Sequence, residues 1–299
     1  MPITSPIPFT SAVHWPIGRQ TFTSVSDGYY QTDLTVFPSF DHAEASALQR
    51  AAHRAAEPRI SHNMYVVRGP DHAPILIDAG MGDGWGSTMG HLPWALSSIG
   101  VGAEEVGTVL LTHLHLDHCA GLIDPDGTPR FPNAQVVVHA AEVDHWLGGD
   151  AESPSDDDPP WAPSVTRRGA SAALAPYRDA LRTFDHEQVV APGITAVPLI
   201  GHSPGHSGYR VGAGADSILV IGDIVHVPAV QGPRPDACVV FDVDRDAAVA
   251  ARGALFEAAD RNGFRIAGAH TEFPGVGFVE RAGDGYRVVP DLWVGSLDA

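Results

Sequence analysis

Within the ten residues THLHLDHCAG at 112–121, four side chains carrying metal-donor atoms stand close together: His113, His115, Asp117 and His118. The apolar run Val109, Leu110, Leu111 precedes them and reads as a buried strand leaving a sheet. Its period of two sends His113, His115 and Asp117 to one side, and His118 stands where the chain turns into its next element. Imidazole nitrogens and a carboxylate oxygen on one loop are the donors that zinc, manganese or iron(II) take. Three more positions have the same chemistry: His202 in GHSPGH, Asp223 in VIGDIVH and His270 in AGAHTEF, each just past a strand-like run. That shared placement gathers distant residues into one cleft at a sheet edge. Five histidines and two aspartates are enough for two ions.

The elements that must carry these residues follow from periodicity and turn signals. Strands are expected at 22–30, 64–68, 74–78, 106–111, 132–139, 194–200, 207–211, 217–221 and 264–269, with a closing hairpin at 276–289. Helices are expected at 42–57, 86–99, 140–147, 170–184 and 246–262. The first 20 residues, rich in Pro, Ser and Thr, read as an irregular arm. The organisation expected is therefore an arm at 1–21 followed by a single domain at 22–299. Asp78, in DAGMGDGWG at the end of a strand, reads as a structural carboxylate bonding loop backbone. Residues 149–163 form an acidic, Pro-rich loop, a lid over a site or a solvated insertion. Strands feeding loops in both halves, with helices between, suggest sheets covered outside by helices.

Composition removes several classes of function. The balance of 18 basic against 36 acidic residues, a formal charge of -18, repels phosphate backbones and anionic membranes, so neither nucleic acid nor a membrane is an expected partner. No lysine occurs, which excludes Schiff-base chemistry and a lysine nucleophile. The two cysteines, Cys119 and Cys238, form no disulfide framework and no CxxC pair, and Cys119 reads as a small buried residue. No signal segment or bilayer-length apolar run is visible, so a cytoplasmic protein is expected.

With HLHLDH, GHSPGH, VIGDIVH and AGAHTEF in that order, the chain resembles the metallo-beta-lactamase-fold hydrolase superfamily over residues 22–290. The resemblance implies an α/β fold: a four-layer αβ/βα sandwich of two mixed sheets flanked by helices, with the metals at one edge. It also implies a split ligand set. His113, His115 and His202 would hold one ion, Asp117, His118 and His270 the other, and Asp223 would bridge them, with a shared water or hydroxide as nucleophile. His206 enters only as a supporting residue. Two divalent ions are implied, zinc first, with manganese, cobalt or iron(II) as the other metals such donors take.

Within that superfamily the bridging carboxylate Asp223 and the absence of lysine argue against a beta-lactamase, and His115 argues against the flavodiiron pattern HxExDH. Similarity is greater to the methyl parathion hydrolase branch and its lactonase relatives, carried by GDIVHVPAVQ, FDVDRDAA and GAHTEFPGVGFVERAGDGYRVVP. Quorum-quenching lactonases usually place a Tyr three residues after the bridging Asp, where this chain has His226. The activity expected is hydrolysis of a small ester-like molecule, a lactone or an organophosphate triester. Asp117, Asp223 and His226 would be catalytic, and Trp85, Trp146 and His226 would wall the substrate pocket. A mononuclear iron oxidoreductase of thiol or persulfide substrates and a non-catalytic metal-binding protein are the alternatives. A homodimer is an expectation by analogy.

Overall fold

The computed structural model describes residues 12–83, 85–148, 155, 158, 159 and 161–294. The first sheet runs in chain order: β1 (Ala12–Ile17), β2 (Gln20–Gln31), β3 (Arg59–Gly69), β4 (His72–Ile77), β5 (Thr108–Leu110), β6 (Gln135–His139) and β7 (Leu181–Phe184). Its first four strands pair antiparallel and β4 to β7 pair parallel. The second sheet holds β8 (Gln188–Ala191), β9 (Ile194–Pro198), β10 (Ser207–Val211), β11 (Ile218–Gly222), β12 (Arg265–Gly268), β13 (Val276–Ala282) and β14 (Gly285–Pro290), also in sequence order. Only β11 and β12 pair parallel there; the other neighbours are antiparallel. The helices are α1 (His42–Ala51), α2 (Leu92–Ser98), α3 (Leu116–Cys119), α4 (Ala140–Leu147), α5 (Pro163–Leu174), α6 (Pro228–Gln231) and α7 (Arg245–Asn262).

Strand alternation makes the layers. Ile75, Ile77, Leu110 and Val137 point from the first sheet to Ile194, Tyr209, Val211 and Val220 of the second, forming a core between the sheets. The intervening Leu76, Val109, Val136 and Val138 point the other way, into a core roofed by α2, α3, α4 and α5. On the far side Leu219 and Ile221 of β11 meet Leu255, Phe256 and Ala259 of α7. Asp244 caps the start of α7 through the Ala247 amide, and Gly263, at φ 67°, ends it in the left-handed conformation. The result is the expected four-layer sandwich of two mixed sheets between helices.

Three expectations are corrected. The arm drawn over 1–21 contains β1, and its boundary falls inside β2; residues 1–11 lie outside the described residues. Pro16 is tolerated in β1 because this is an edge strand, where one row of backbone groups needs no ladder partner. The helix expected at 170–184 lies instead at Pro163–Leu174, and Leu181–Phe184 is a strand pairing with β6. The helix expected at 86–99 is only Leu92–Ser98, since Gly86 and Gly90 take φ values of 93° and 79° that no helix turn accepts. β8 was not anticipated. Most of the acidic stretch at 149–163 lies outside the described residues. Among the described residues no helix is long and apolar enough to cross a membrane.

Candidate metal centre

All seven predicted donors come together where strand ends of both sheets meet. His113 and His115 lie on the loop after β5, Asp117 and His118 on the short α3, His202 after β9, Asp223 after β11 and His270 after β12. The sheets are hydrogen-bonded to each other at this edge. The Ser207 amide donates to the Thr112 carbonyl at 2.9 Å, Tyr209 Oη to the Leu111 carbonyl at 2.7 Å, and Tyr65 Oη to the Gly268 carbonyl at 2.8 Å. The loops therefore cannot drift apart without breaking buried bonds.

Donor atoms fall into two groups that share one residue. In each of His113, His115, His202, Asp223 and Asp117, His118, Asp223, His270, one donor atom per residue lies within 4.8 Å of all the others. Asp223 Oδ1 is 3.1 Å from His118 Nε2, and its Oδ2 is 3.2 Å from His202 Nε2, 3.0 Å from His270 Nε2 and 3.7 Å from His113 Nε2. One carboxylate thus faces both groups.

Do these residues fit a bound cation? Three buried donor atoms, His113 Nε2, His118 Nε2 and Asp223 Oδ1, have no hydrogen-bond partner, an expensive state for buried polar groups unless something binds them. The opposite ring nitrogens are held from behind: His118 Nδ1 is 2.8 Å from Asp78 Oδ2, His202 Nδ1 2.9 Å from Asp242 Oδ1, His113 Nδ1 3.0 Å from Thr112 Oγ1, and His270 Nδ1 2.8 Å from the Ser61 carbonyl. Outer partners of this kind fix the ring and aim its free nitrogen at an ion.

Charge points the same way. Burial lowers the pKa of His118, but Asp223, Asp117 and Asp78 outweigh it and hold the value well above normal. His202 is pushed up to about 9 and His270 to about 10, in both cases because Asp223 overcomes burial. Burial would raise Asp223, yet His118, His270 and His113 keep it well below the carboxylate range. The carboxylates of the edge stay ionised, while burial holds His113 and His115 well below the ordinary value, in the neutral form that binds a metal. The residues fit two divalent cations.

The remaining predicted residues also converge here. His226 Nε2 lies 3.2 Å from Asp223 Oδ2, without the alignment of a hydrogen bond, and burial lowers its pKa to about 4. Trp85, Trp146, His226 and Asp117 line one cavity of about 670 Å³ with mostly apolar walls, to which Trp161 and Phe241 add aromatic rings. Asp78 is structural as expected: at φ 61° it accepts from the Thr112 amide at 2.7 Å and the Thr112 hydroxyl at 2.9 Å, besides facing His118. His206, lowered to about 3 by burial, accepts from the Asp223 amide at 3.0 Å, the supporting part expected of it. Cys119 is fully buried, and burial raises its thiol pKa far out of the nucleophilic range.

Some participants were missed. Asp242, the partner of His202, lies among three acidic residues of FDVDRD with nothing in type or spacing to distinguish it. His62, buried on β3 with Nε2 4.0 Å from Asp117 Oδ2, shares its face of the strand with Met64 and Val66, so alternation reads it as core.

The family model described as the metallo-beta-lactamase superfamily matches residues 58–270. Among solved structures, the chain is similar to the hydrolase AbOPH of the beta lactamase superfamily at 30% identity and a TM-score of 0.86, over 96% of this chain and 99% of that one. It has the same fold as AidC, a dizinc quorum-quenching lactonase solved with its product N-hexanoyl-L-homoserine, at 21% identity and a TM-score of 0.86, over 96% and 100% of the two chains. Among curated proteins it is 26% identical over 156 residues to the N-acyl homoserine lactonase AiiB of Agrobacterium fabrum, a match that covers 50% of this chain and 51% of that relative's length.

Proposed function

Since the chain belongs to the metallo-beta-lactamase superfamily, we propose that it is a dinuclear metal hydrolase of a small, uncharged, ester-like substrate, a lactone or a phosphotriester. The observation that carries this reading is the single carboxylate, Asp223, shared by two groups of donor atoms that open on an apolar cavity. Divalent ions held there would lower the pKa of a shared water toward neutrality and polarise the carbonyl or phosphoryl oxygen.

The chain's own residues supply the rest. His113, His115 and His202 would hold one ion, Asp117, His118 and His270 the other, with Asp223 common to both. Asp117 is the most open of the carboxylates at the site, its side chain 22% exposed, which suits it to pass a proton between the attacking water and the leaving oxygen. His226, neutral at pH 7 with its value near 4, can donate one N–H but carries no charge that would trap an anionic product. The aromatic and aliphatic walls exclude water and bury an acyl chain or an aryl leaving group.

Lactone hydrolysis takes support from the likeness to AiiB, a lactonase by name, over half of that relative. His226, where lactonases usually carry Tyr, favours the phosphotriester arm. The deciding experiment is metal analysis of the purified protein together with a panel of lactones, aryl esters and aryl phosphotriesters. Two ions per chain with turnover in one class is expected; one ion or none, with no hydrolysis anywhere in the panel, overturns the reading.

A further inference from the structure

Glu142, on α4, is fully buried and belongs to neither group of donor atoms, yet it joins three parts of the site. Its Oε2 accepts from the Leu114 amide at 3.0 Å, between His113 and His115, and from Trp146 Nε1 at 2.9 Å, in the cavity wall. Its Oε1 accepts from the Ser203 hydroxyl and from the Gly205 amide at 2.7 Å, both beside His202. The approach is so close that a Cβ on residue 205 would lie 2.7 Å from the Glu142 nitrogen, which accounts for the second glycine of GHSPGH. His115 and His202, brought in by the two loops so joined, stand with Nδ1 and Nε2 2.9 Å apart, and the Trp146 ring packs 5.4 Å from that of His115.

We propose that Glu142 is a positioning residue that holds the His113 loop, the His202 loop and the cavity wall in one register, so that placement of the first ion and placement of the substrate are coupled. This rests on the reading of His113, His115, His202 and Asp223 as one ion's site. Three of the four partners are N–H groups that can only donate, and the fourth is the Ser203 hydroxyl, so the carboxylate accepts two bonds on each oxygen. Glutamine keeps the size and loses that match. Its carbonyl oxygen can serve Leu114 and Trp146, and its NH2 can give to the Ser203 oxygen, which is able to accept. The Gly205 N–H then faces another donor. The damage from Glu142→Gln is therefore directed at the loop of His202 and not at Asp117, His118 or His270.

The test compares the wild type with E142Q, S203A and E142Q/S203A, each stripped, refilled with cobalt(II) and followed by metal content and ligand-field absorption. The wild type is expected to bind two ions. E142Q keeps one as tightly and binds the other about 10- to 100-fold more weakly, the usual effect of losing a partner behind a ligand. S203A weakens the same ion by about 2- to 10-fold, as for one hydrogen bond, and keeps the test in force should E142Q not fold. The double variant loses no more than the two factors multiplied, because S203A breaks only a neutral bond once glutamine stands at 142. Unchanged binding of both ions in E142Q, or equal weakening of both, overturns the proposal while leaving the hydrolase reading intact. A wild type that binds fewer than two ions overturns the dinuclear reading and this proposal together.

Discussion

His118 and Asp78 are joined by a 2.8 Å contact between Nδ1 and Oδ2, and Asp78 reaches it from a left-handed backbone position at φ 61°. Asp78 also accepts twice from Thr112, whose hydroxyl stands behind His113. One carboxylate thus aims a histidine of each donor group. Asparagine tolerates the left-handed region, so Asp78→Asn changes the charge and one acceptor with little change in backbone strain. Affinity for the ion of the His118 group should fall by about 10- to 100-fold, measured by competition with a chelator. Unaltered affinity would mean that Asp78 serves the loop alone.

Asp223 lies within reach of both donor groups, and its Oδ1 has no hydrogen-bond partner. Asp223→Ala should therefore lower metal content and activity together, read by elemental analysis alongside turnover. Two ions retained in that variant would show that the carboxylate is not shared.

Asp27 gives a pH dependence away from the metal centre. Its carboxylate accepts from the Met81 amide at 2.9 Å and the Leu92 amide at 2.7 Å, anchoring the loop that carries Trp85 to β2. Burial raises its pKa to about 6 from 3.8, against those hydrogen bonds. A folded value above the unfolded one means that the native state binds the extra proton, so this stability is present below about 3.8 and lost as pH rises through about 6. The shift of about two units corresponds to roughly 3 kcal/mol. The stability advantage of wild type over Asp27→Asn, followed by denaturant unfolding, should shrink by that order between about pH 4 and pH 7. A flat difference would place the Asp27 pKa at its ordinary value.

Trp85 is half-buried in the cavity wall, packs against the core beneath it and belongs to neither group of donor atoms. Trp85→Ala should raise KM about tenfold for substrates with long acyl or aryl groups, with less effect on short ones and kcat unchanged, since the lost contact serves ground state and transition state alike. Equal loss across chain lengths, or loss in kcat, would argue that the indole orients the reacting group instead.

The donors themselves were legible because they are functional types placed just past apolar runs, and neither packing nor solubility calls for a histidine there. The division into two groups was legible only through the order of the motifs, since spacing in sequence says nothing of which strand ends meet. Asp242 and Glu142 stayed hidden for the opposite reason. In a chain with 36 acidic residues a carboxylate is unremarked until its neighbours are known, and these two are defined by partners on other loops, His202 for Asp242 and Leu114, Ser203 and Gly205 for Glu142. β1 was obscured by Pro16 and the surrounding Pro, Ser and Thr, which mimic an irregular arm yet suit an edge strand. β7 was absorbed into the Ala-rich helical pattern before it, whose periodicity does not mark where a buried strand begins.

Each sheet is built from one continuous stretch of chain, β1 to β7 and then β8 to β14, and the donors divide along that seam: four precede it and three follow. Neither half can assemble a complete set alone for either ion. Ion capture therefore waits on docking of the two halves, and each bound ion in turn opposes their separation by the free energy of its own binding. Metal binding would thus add to the apolar core and the hydrogen bonds that already join the sheets, a clasp laid across the seam and not its only fastening.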